Sequence, residues 1–223
     1  MRVLVTAGNT QAPIDRVRCI TNMFTGRTGA AIALRAHDRK HFVTLLTSHP
    51  ETVSAPPTDR WSLQTFHTYA DLQTIMADRI SGGAFDVVIH CAAVSDYLSG
   101  GVCYNEDSPA IDVSAGKLKS DAAEFWLRLV RAPKLIDAVR TEWGFRGILV
   151  KFKLEVGVSD EQLLSVAEQS RRQSQADLMI ANTLEGSADW AFVGPIAGRY
   201  ERIARPQLAD TLLDAISALY EGR

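Results

Sequence analysis

Short runs of Val, Ile and Leu alternate with segments of helical spacing along most of the chain. Arg2–Thr6 (RVLVT) is a short apolar strand, followed by a Gly- and Thr-containing loop and a helical pattern over about Gly26–Ala36. His41–Thr47 reads as a second strand and Leu63–Thr68 as a shorter one. Leu72, Ile75, Met76 and Ile80 then recur at helical spacing within Ala70–Ile80. Phe85–His90 is another buried-type strand. The segment Ala92–Asp121 lacks clear periodicity, and Phe125–Val130 resumes as a strand. Leu135–Trp143 follows as a helix, with Pro133 suited to its first turn. Gly147–Phe152 predicts a strand, Asp160–Ser174 a helix and Asp177–Ala181 a strand. Trp190–Val193 and Arg199–Ile203 predict short strands before a helix over about Leu208–Tyr220.

Apolar strands alternating with helices predict an α/β fold: a doubly wound, mostly parallel, Rossmann-like sheet with helices on both faces. The whole chain, 1–223, reads as one domain, with 92–121 as a flexible loop or arm. Such sheets bind ligands beyond the carboxyl ends of their strands, at the point where the strand order reverses. The loops after Thr6, His90 and Phe152 are therefore expected to converge on one site.

Composition narrows the classes. The chain is 46% apolar and 22% charged, with a net charge of −2, so no global basic field draws it to nucleic acid or lipid. No apolar run approaches the ~20 residues of a membrane-spanning helix, and Met1 leads straight into a strand pattern. Cys19, Cys91 and Cys103 lack metal or disulfide spacing, and a reduced, cytoplasmic setting is expected. His37, His41, His49 and His67 fall at element ends or on polar edges, where solvated surface is expected; His90 ends a strand, and no pair has metal-ligand spacing.

Four segments can carry chemistry. Thr25-Gly26-Arg27-Thr28-Gly29 precedes a helix, where small residues let a phosphate reach exposed amides; a tight turn with an N-cap reads equally well. Cys91-Ala92-Ala93-Val94-Ser95-Asp96 follows a central strand. The alanines leave room for a ligand or for close packing, and Asp96 meets a ribose, a metal-bound phosphate or solvent. Gly116-Lys117-Leu118-Lys119-Ser120 suits either a phosphate-clamping arm or solvated surface. In Lys151-Phe152-Lys153-Leu154-Glu155, Phe152 can stack on a base and Lys153 face a phosphate, while Glu155 caps a helix or meets the ligand. Asn182-Thr183 offers a further donor pair or a turn.

In this order the segments resemble the phosphopantothenoylcysteine synthetase family, the phosphopantothenate–cysteine ligases of coenzyme A synthesis. The resemblance runs from Met1 to about Val193 through Thr6–Gly29, AAVSDY, GKLKS, PKLID, FKLE and DLMIANT. It implies that the carboxylate of 4′-phosphopantothenate attacks a nucleoside triphosphate, CTP in preference to ATP, and that L-cysteine then captures the acyl-nucleotide as an amide. Carried across by position, Asn22 contacts the activated acyl group and Lys117 binds the triphosphate beside Lys119. Thr25, Gly26 and Arg27 line the triphosphate loop, Ala92 and Ala93 lie against the pantothenate, Asp96 sits beside the nucleotide and Phe152 near the base. Mg²⁺ is expected with the nucleotide, and no protein metal ligands. No flavin is expected, because the chain starts at the ligase's first strand. A homodimer is implied, its lysine arm reaching the neighbouring subunit's site.

The chain departs from the family at Asn9 (commonly Gly), at Phe24-Thr25-Gly26-Arg27 (commonly SSGK) and at Ser120 (often Lys). These departures admit a diverged binding homologue without turnover. A nicotinamide oxidoreductase on the same fold is the other alternative. It predicts a glycine fingerprint after the first strand, or Tyr-x-x-x-Lys, and the sequence has neither.

Overall fold

The apolar runs become strands of one eight-stranded sheet, and the segments of helical period become the helices that cover it. The computed structural model describes residues 1–54, 56, 58–104, 109–112, 116–119, 121 and 123–223. The first half contains β1 (Arg2–Ala7), a hairpin of β2 (Gln11–Pro13) and β3 (Cys19–Thr21), α1 (Arg27–Asp38), β4 (Phe42–Thr47), β5 (Trp61–Thr65) and α2 (Tyr69–Ser81). Then come β6 (Val87–His90), β7 (Tyr97–Cys103), β8 (Trp126–Arg131), α3 (Leu135–Thr141), β9 (Ile148–Glu155) and α4 (Asp160–Gln173). The chain ends with β10 (Leu178–Thr183), β11 (Trp190–Ile196), β12 (Arg199–Ala204) and α5 (Leu208–Glu221).

The sheet order is β12-β11-β10-β9-β6-β1-β4-β5, with every pair from β10 to β5 parallel and β11 and β12 antiparallel. From β1 the chain steps outward to β4 and β5, then crosses back to β6 on the other side. That reversal puts the switch point between the carboxyl ends of β1 and β6. Alternation within β1 serves both layers. Val3 and Val5 pack with Ile32 of α1 and Leu212 of α5, whereas Leu4 packs with Leu72 and Met76 of α2 and Val139 of α3. Burying each such side chain contributes roughly 1.5–3 kcal/mol, so both faces are specified by one strand's period of two. Thr68 and Ser159 start α2 and α4 with reciprocal capping boxes to Asp71 and Gln162. Among the described residues no helix is long and apolar enough to cross a membrane.

Four expectations need correction. The segment 92–121 is not wholly without structure: β7 pairs antiparallel with β8 in a separate two-stranded ribbon. Gly100 and Gly101 hide that strand, because they sit at a register shift and Gly101 has φ +102. The hairpin of β2 and β3 was read as loop, since three-residue strands leave no periodicity. Pro133 stands before the N-cap of α3, Lys134, not inside its first turn. His37, at the end of α1, is buried rather than solvated, bonded through Nε2 to Thr58 Oγ1 at 2.8 Å. Ser120 lies outside the described residues.

Residues 116–119 are strapped to the loop between β2 and β3 by one carboxylate. Asp15 is enclosed; its Oδ1 accepts from the amides of Val17 and Arg18 at 2.8 Å, and its Oδ2 from the Leu118 amide at 2.9 Å. Arg18 pairs with the same carboxylate and also donates through Nη2 to Leu118 O at 2.8 Å, while Arg16 N donates to Gly116 O at 3.0 Å. The Arg18 guanidinium and then the Leu118 amide hold the Asp15 carboxyl far below the usual carboxylate range. A depressed native pKa stabilises above the unfolded value, about 4, and the contribution is lost only as pH falls through the native one. Hydrogen exchange should therefore show the Leu118 amide protected from pH 7 down to about pH 3. Asp15→Ala should raise its exchange rate about tenfold or more, as for loss of a charge-assisted bond. Equal protection in both proteins would contradict this anchoring.

Candidate active site

At the end of β1 the backbone turns through Gly8, φ +87, where a Cβ would lie 2.1 Å from Ser48 Oγ. The first turn of α1 rests directly on that corner. Gly26, its N-cap at φ +79, is so close that a Cβ would lie 2.1 Å from Gly8 N. No side chain caps this helix and no acid stands in its first turn. The unpaired N–H groups and the positive end of the helix dipole therefore face the space above the sheet.

The loop after β6 is sewn to the loop after β1. Ala93 N donates to Gly8 O at 2.8 Å, Thr10 N to Ala93 O at 3.2 Å and Ser95 N to Thr10 Oγ1 at 2.9 Å. Thr6 Oγ1 accepts from Ala92 N at 3.1 Å and lies 3.0 Å from His90 Nδ1. Burial, with Lys151 nearby, lowers the His90 pKa to about 4, so at neutral pH the ring is uncharged. Asn22, just past β3, donates through Nδ2 to Ala93 O at 3.2 Å. Asn9 holds the Asn22 backbone from the other side through an Nδ2 bond to its carbonyl, and Asn9 N is itself fixed to Ser48 Oγ at 2.8 Å.

These loops enclose an open cleft of about 450 Å³ at the switch point. Asn22, Thr25, Gly26, Arg27, Ala92, Ala93, Asp96, Phe152 and Lys153 all line it, as does Asn182. Lys153 is paired with Glu155 at 2.9 Å, which holds its ammonium at the rim. Thr183 is turned away, accepting from Gly186 N at 3.2 Å. Lys117 and Lys119 do not line the cleft of their own chain; they stand exposed on either side of buried Leu118. Cys91, within the segment that the sequence singled out, also lines the cleft; burial pushes its thiol up to about 12, so it remains protonated and unreactive. Two lining residues, Ser187 and Arg205, escaped the sequence reading. Arg205 fell between the expected strand and helix, and its signal was an Arg-Pro pair at a helix start.

Arg27, Lys153 and Arg205 face the cleft with Asp96 as the carboxylate on its wall, so the site suits an anionic ligand. Among the described residues no three His, Cys, Asp or Glu side chains group as a metal site. A hard cation would fit here through a ligand's phosphate oxygens with Asp96 as the protein contribution.

The family profile described as the DNA/pantothenate metabolism flavoprotein C-terminal domain matches residues 1–195. The coenzyme A biosynthesis bifunctional protein CoaBC of Thermococcus kodakarensis is 33% identical over 223 residues, covering 98% of this chain and 51% of that protein. The CoaBC of Escherichia coli is 30% identical over 185 residues, covering 82% and 41%. The chain thus spans about half the length of the curated relatives it matches. The crystal structure of the DNA/pantothenate metabolism flavoprotein from Streptococcus pneumoniae aligns with TM-score 0.85 and 31% identity, covering 98% of this chain and 99% of that one. A Cab2 variant in complex with phosphopantothenate-cysteine shares the fold at TM-score 0.76 and 18% identity, covering 99% and 86%. A matched profile over most of the sequence, with relatives of this similarity, settles the family: the chain belongs to that of the DNA/pantothenate metabolism flavoprotein C-terminal domain.

Proposed function

We propose that this chain is a phosphopantothenate–cysteine ligase, joining 4′-phosphopantothenate to L-cysteine at the expense of a nucleoside triphosphate. The observation that carries the reading is one cleft in which the uncapped start of α1 faces Asn22 and the Ala92–Ala93 loop. Relatives named for coenzyme A biosynthesis and a fold neighbour bound to phosphopantothenate-cysteine support the same substrates. The intervening hairpin separates β1 from α1, whereas a dinucleotide fingerprint runs directly from strand to helix, which disfavours a nicotinamide enzyme.

In the first step the pantothenate carboxylate attacks the nucleotide's α-phosphorus and pyrophosphate leaves. Thr25, Gly26 and Arg27 neutralise phosphate charge with the α1 amides, and Phe152 packs near the base. Mg²⁺ carried in on the triphosphate would supply further charge neutralisation, with Asp96 beside the nucleotide. In the second step the cysteine amine attacks the acyl carbonyl and the nucleoside monophosphate leaves. Asn22 has two N–H donors and spends one on Ala93 O, leaving the other for the oxygen that gains charge. No side-chain nucleophile is needed, consistent with a protonated Cys91 thiol and a neutral His90.

Lys117 and Lys119 complete the phosphate site from a second subunit in this reading. Support comes from the ribbon of β7 and β8, which exposes apolar residues on both faces: Tyr97 and Leu129 on one, 51% and 45% exposed, and Trp126 and Val130 on the other, 51% and 39% exposed, surface suited to a second copy. Sedimentation should give a homodimer, and Leu129→Asp should shift it to monomer with loss of turnover. A wild-type monomer at working concentration would contradict this part.

The central assay is pyrophosphate release from 4′-phosphopantothenate, cysteine and Mg²⁺ with CTP or ATP. Release is expected with CTP in preference to ATP; none with either nucleotide would leave a binding homologue without turnover. Asn22→Asp should accumulate the acyl-nucleotide and slow amide formation by about 10²–10³, the usual loss for an oxyanion donor. Lys117→Gln should suppress the pyrophosphate burst about 100-fold. Full turnover in both variants would refute the assigned roles.

A further inference from the structure

Arg205 sits in the 3-10 turn between β12 and α5, its amide fixed to Asp189 O at 2.8 Å. Its guanidinium is half-buried, lines the cleft and donates to the hydroxyl of Thr28, in the first turn of α1. Among the described residues eight other arginines pair with carboxylates, Arg18, Arg39, Arg140 and Arg202 among them, and Arg205 has no such partner.

The placement opposes the usual electrostatics of a helix. Cations are favoured at the carboxyl end, where the partial charge is negative, and acids at the amino end. Here the amino end carries no acid, and Arg27 and Arg205 both flank it beside the cleft. A half-buried guanidinium next to a positive helix end is unfavourable in the free protein. It becomes favourable once an anion lies between them. The planar fork has five N–H donors, and Thr28 uses one.

We infer that Arg205 is a phosphate-binding residue of this site, clamping a phosphate group of the substrates against the first turn of α1. The inference rests on the ligase reading for the identity of the ligand. The phosphate group belongs either to the acyl substrate's monoester or to the nucleotide chain, which present the same chemistry. Thr28 is then a positioning residue that aims the fork.

The test is calorimetric titration of the full chain and of Arg205→Gln and Arg205→Lys, with inorganic pyrophosphate as a ligand-neutral probe. Parallel arms use 4′-phosphopantothenate against pantothenate, and Mg·CTP against cytidine. Arg205→Gln is expected to weaken pyrophosphate and one phosphate-bearing substrate about tenfold or more, with the dephosphorylated compounds unaffected. Arg205→Lys should recover part of the loss, because charge is kept and the fork is not. The substrate that loses affinity identifies whose phosphate is held. Thermal melts add a readout that a packing role would not give: Arg205→Gln should melt no lower than wild type without ligand, yet lose the stabilisation by pyrophosphate. Wild-type binding retained within twofold in Arg205→Gln would overturn the inference and leave the ligase reading standing. Failure of every phosphate probe to bind wild type would overturn both.

Discussion

Helix α1 can present its amino end to a ligand only because two glycines let its backbone rest on the end of β1. Gly26 stands where a side chain would drive into the Gly8 amide, and Gly29 where a Cβ would lie 2.8 Å from Ala7 Cβ. Both Gly8 and Gly26 also hold left-handed backbone, which an L side chain adopts at a cost of about 1 kcal/mol or more. With the helix pressed this close, unpaired amides meet the strand ends directly and no side chain intervenes. Cleft shape and charge follow from that contact.

The second layer of the site is hydrogen bonding rather than packing. Thr6 and Gly8 hold the Ala92–Ala93 loop, Ala93 in turn accepts from Thr10 and Asn22, and Asn9 fixes Asn22 from behind. A neutral His90 beside Thr6 keeps this part of the network uncharged across the neutral range. These bonds preorganise donors around a reacting carbonyl, so the protein supplies electrostatics and position while the nucleotide supplies the leaving group. Asn9 is instructive. Its side chain is spent on the same network, Nδ2 donating to Asn22 O and Oδ1 accepting from Ser48 Oγ, and it does not line the cleft.

Much of this was legible from residue order. Runs such as RVLVT and FDVVIH announced buried parallel strands because both faces of such strands are apolar, and the helical spacing of Leu72, Met76 and Ile80 announced α2. Loops after Thr6, His90 and Phe152 do meet in one cleft, because parallel strands place all their carboxyl ends on one side. What stayed hidden depends on contacts distant in sequence. The strand β7 pairs with β8 across the intervening arm, and its Gly100–Gly101 step erases the alternation. Nothing local in the sequence assigns Asp15 a role; its carboxylate accepts from the amide of Leu118, about a hundred positions on. Arg205 joins the site only because α5 packs beside α1, a tertiary relation that no local pattern encodes.

The most direct measurement is a structure of the chain crystallised with 4′-phosphopantothenate and a non-hydrolysable CTP analogue. The account predicts phosphate density at the first turn of α1 and the pantothenate carboxylate beside Asn22 and the Ala92–Ala93 loop. Ligand density away from the switch-point cleft, with the α1 amides facing only water, would contradict it.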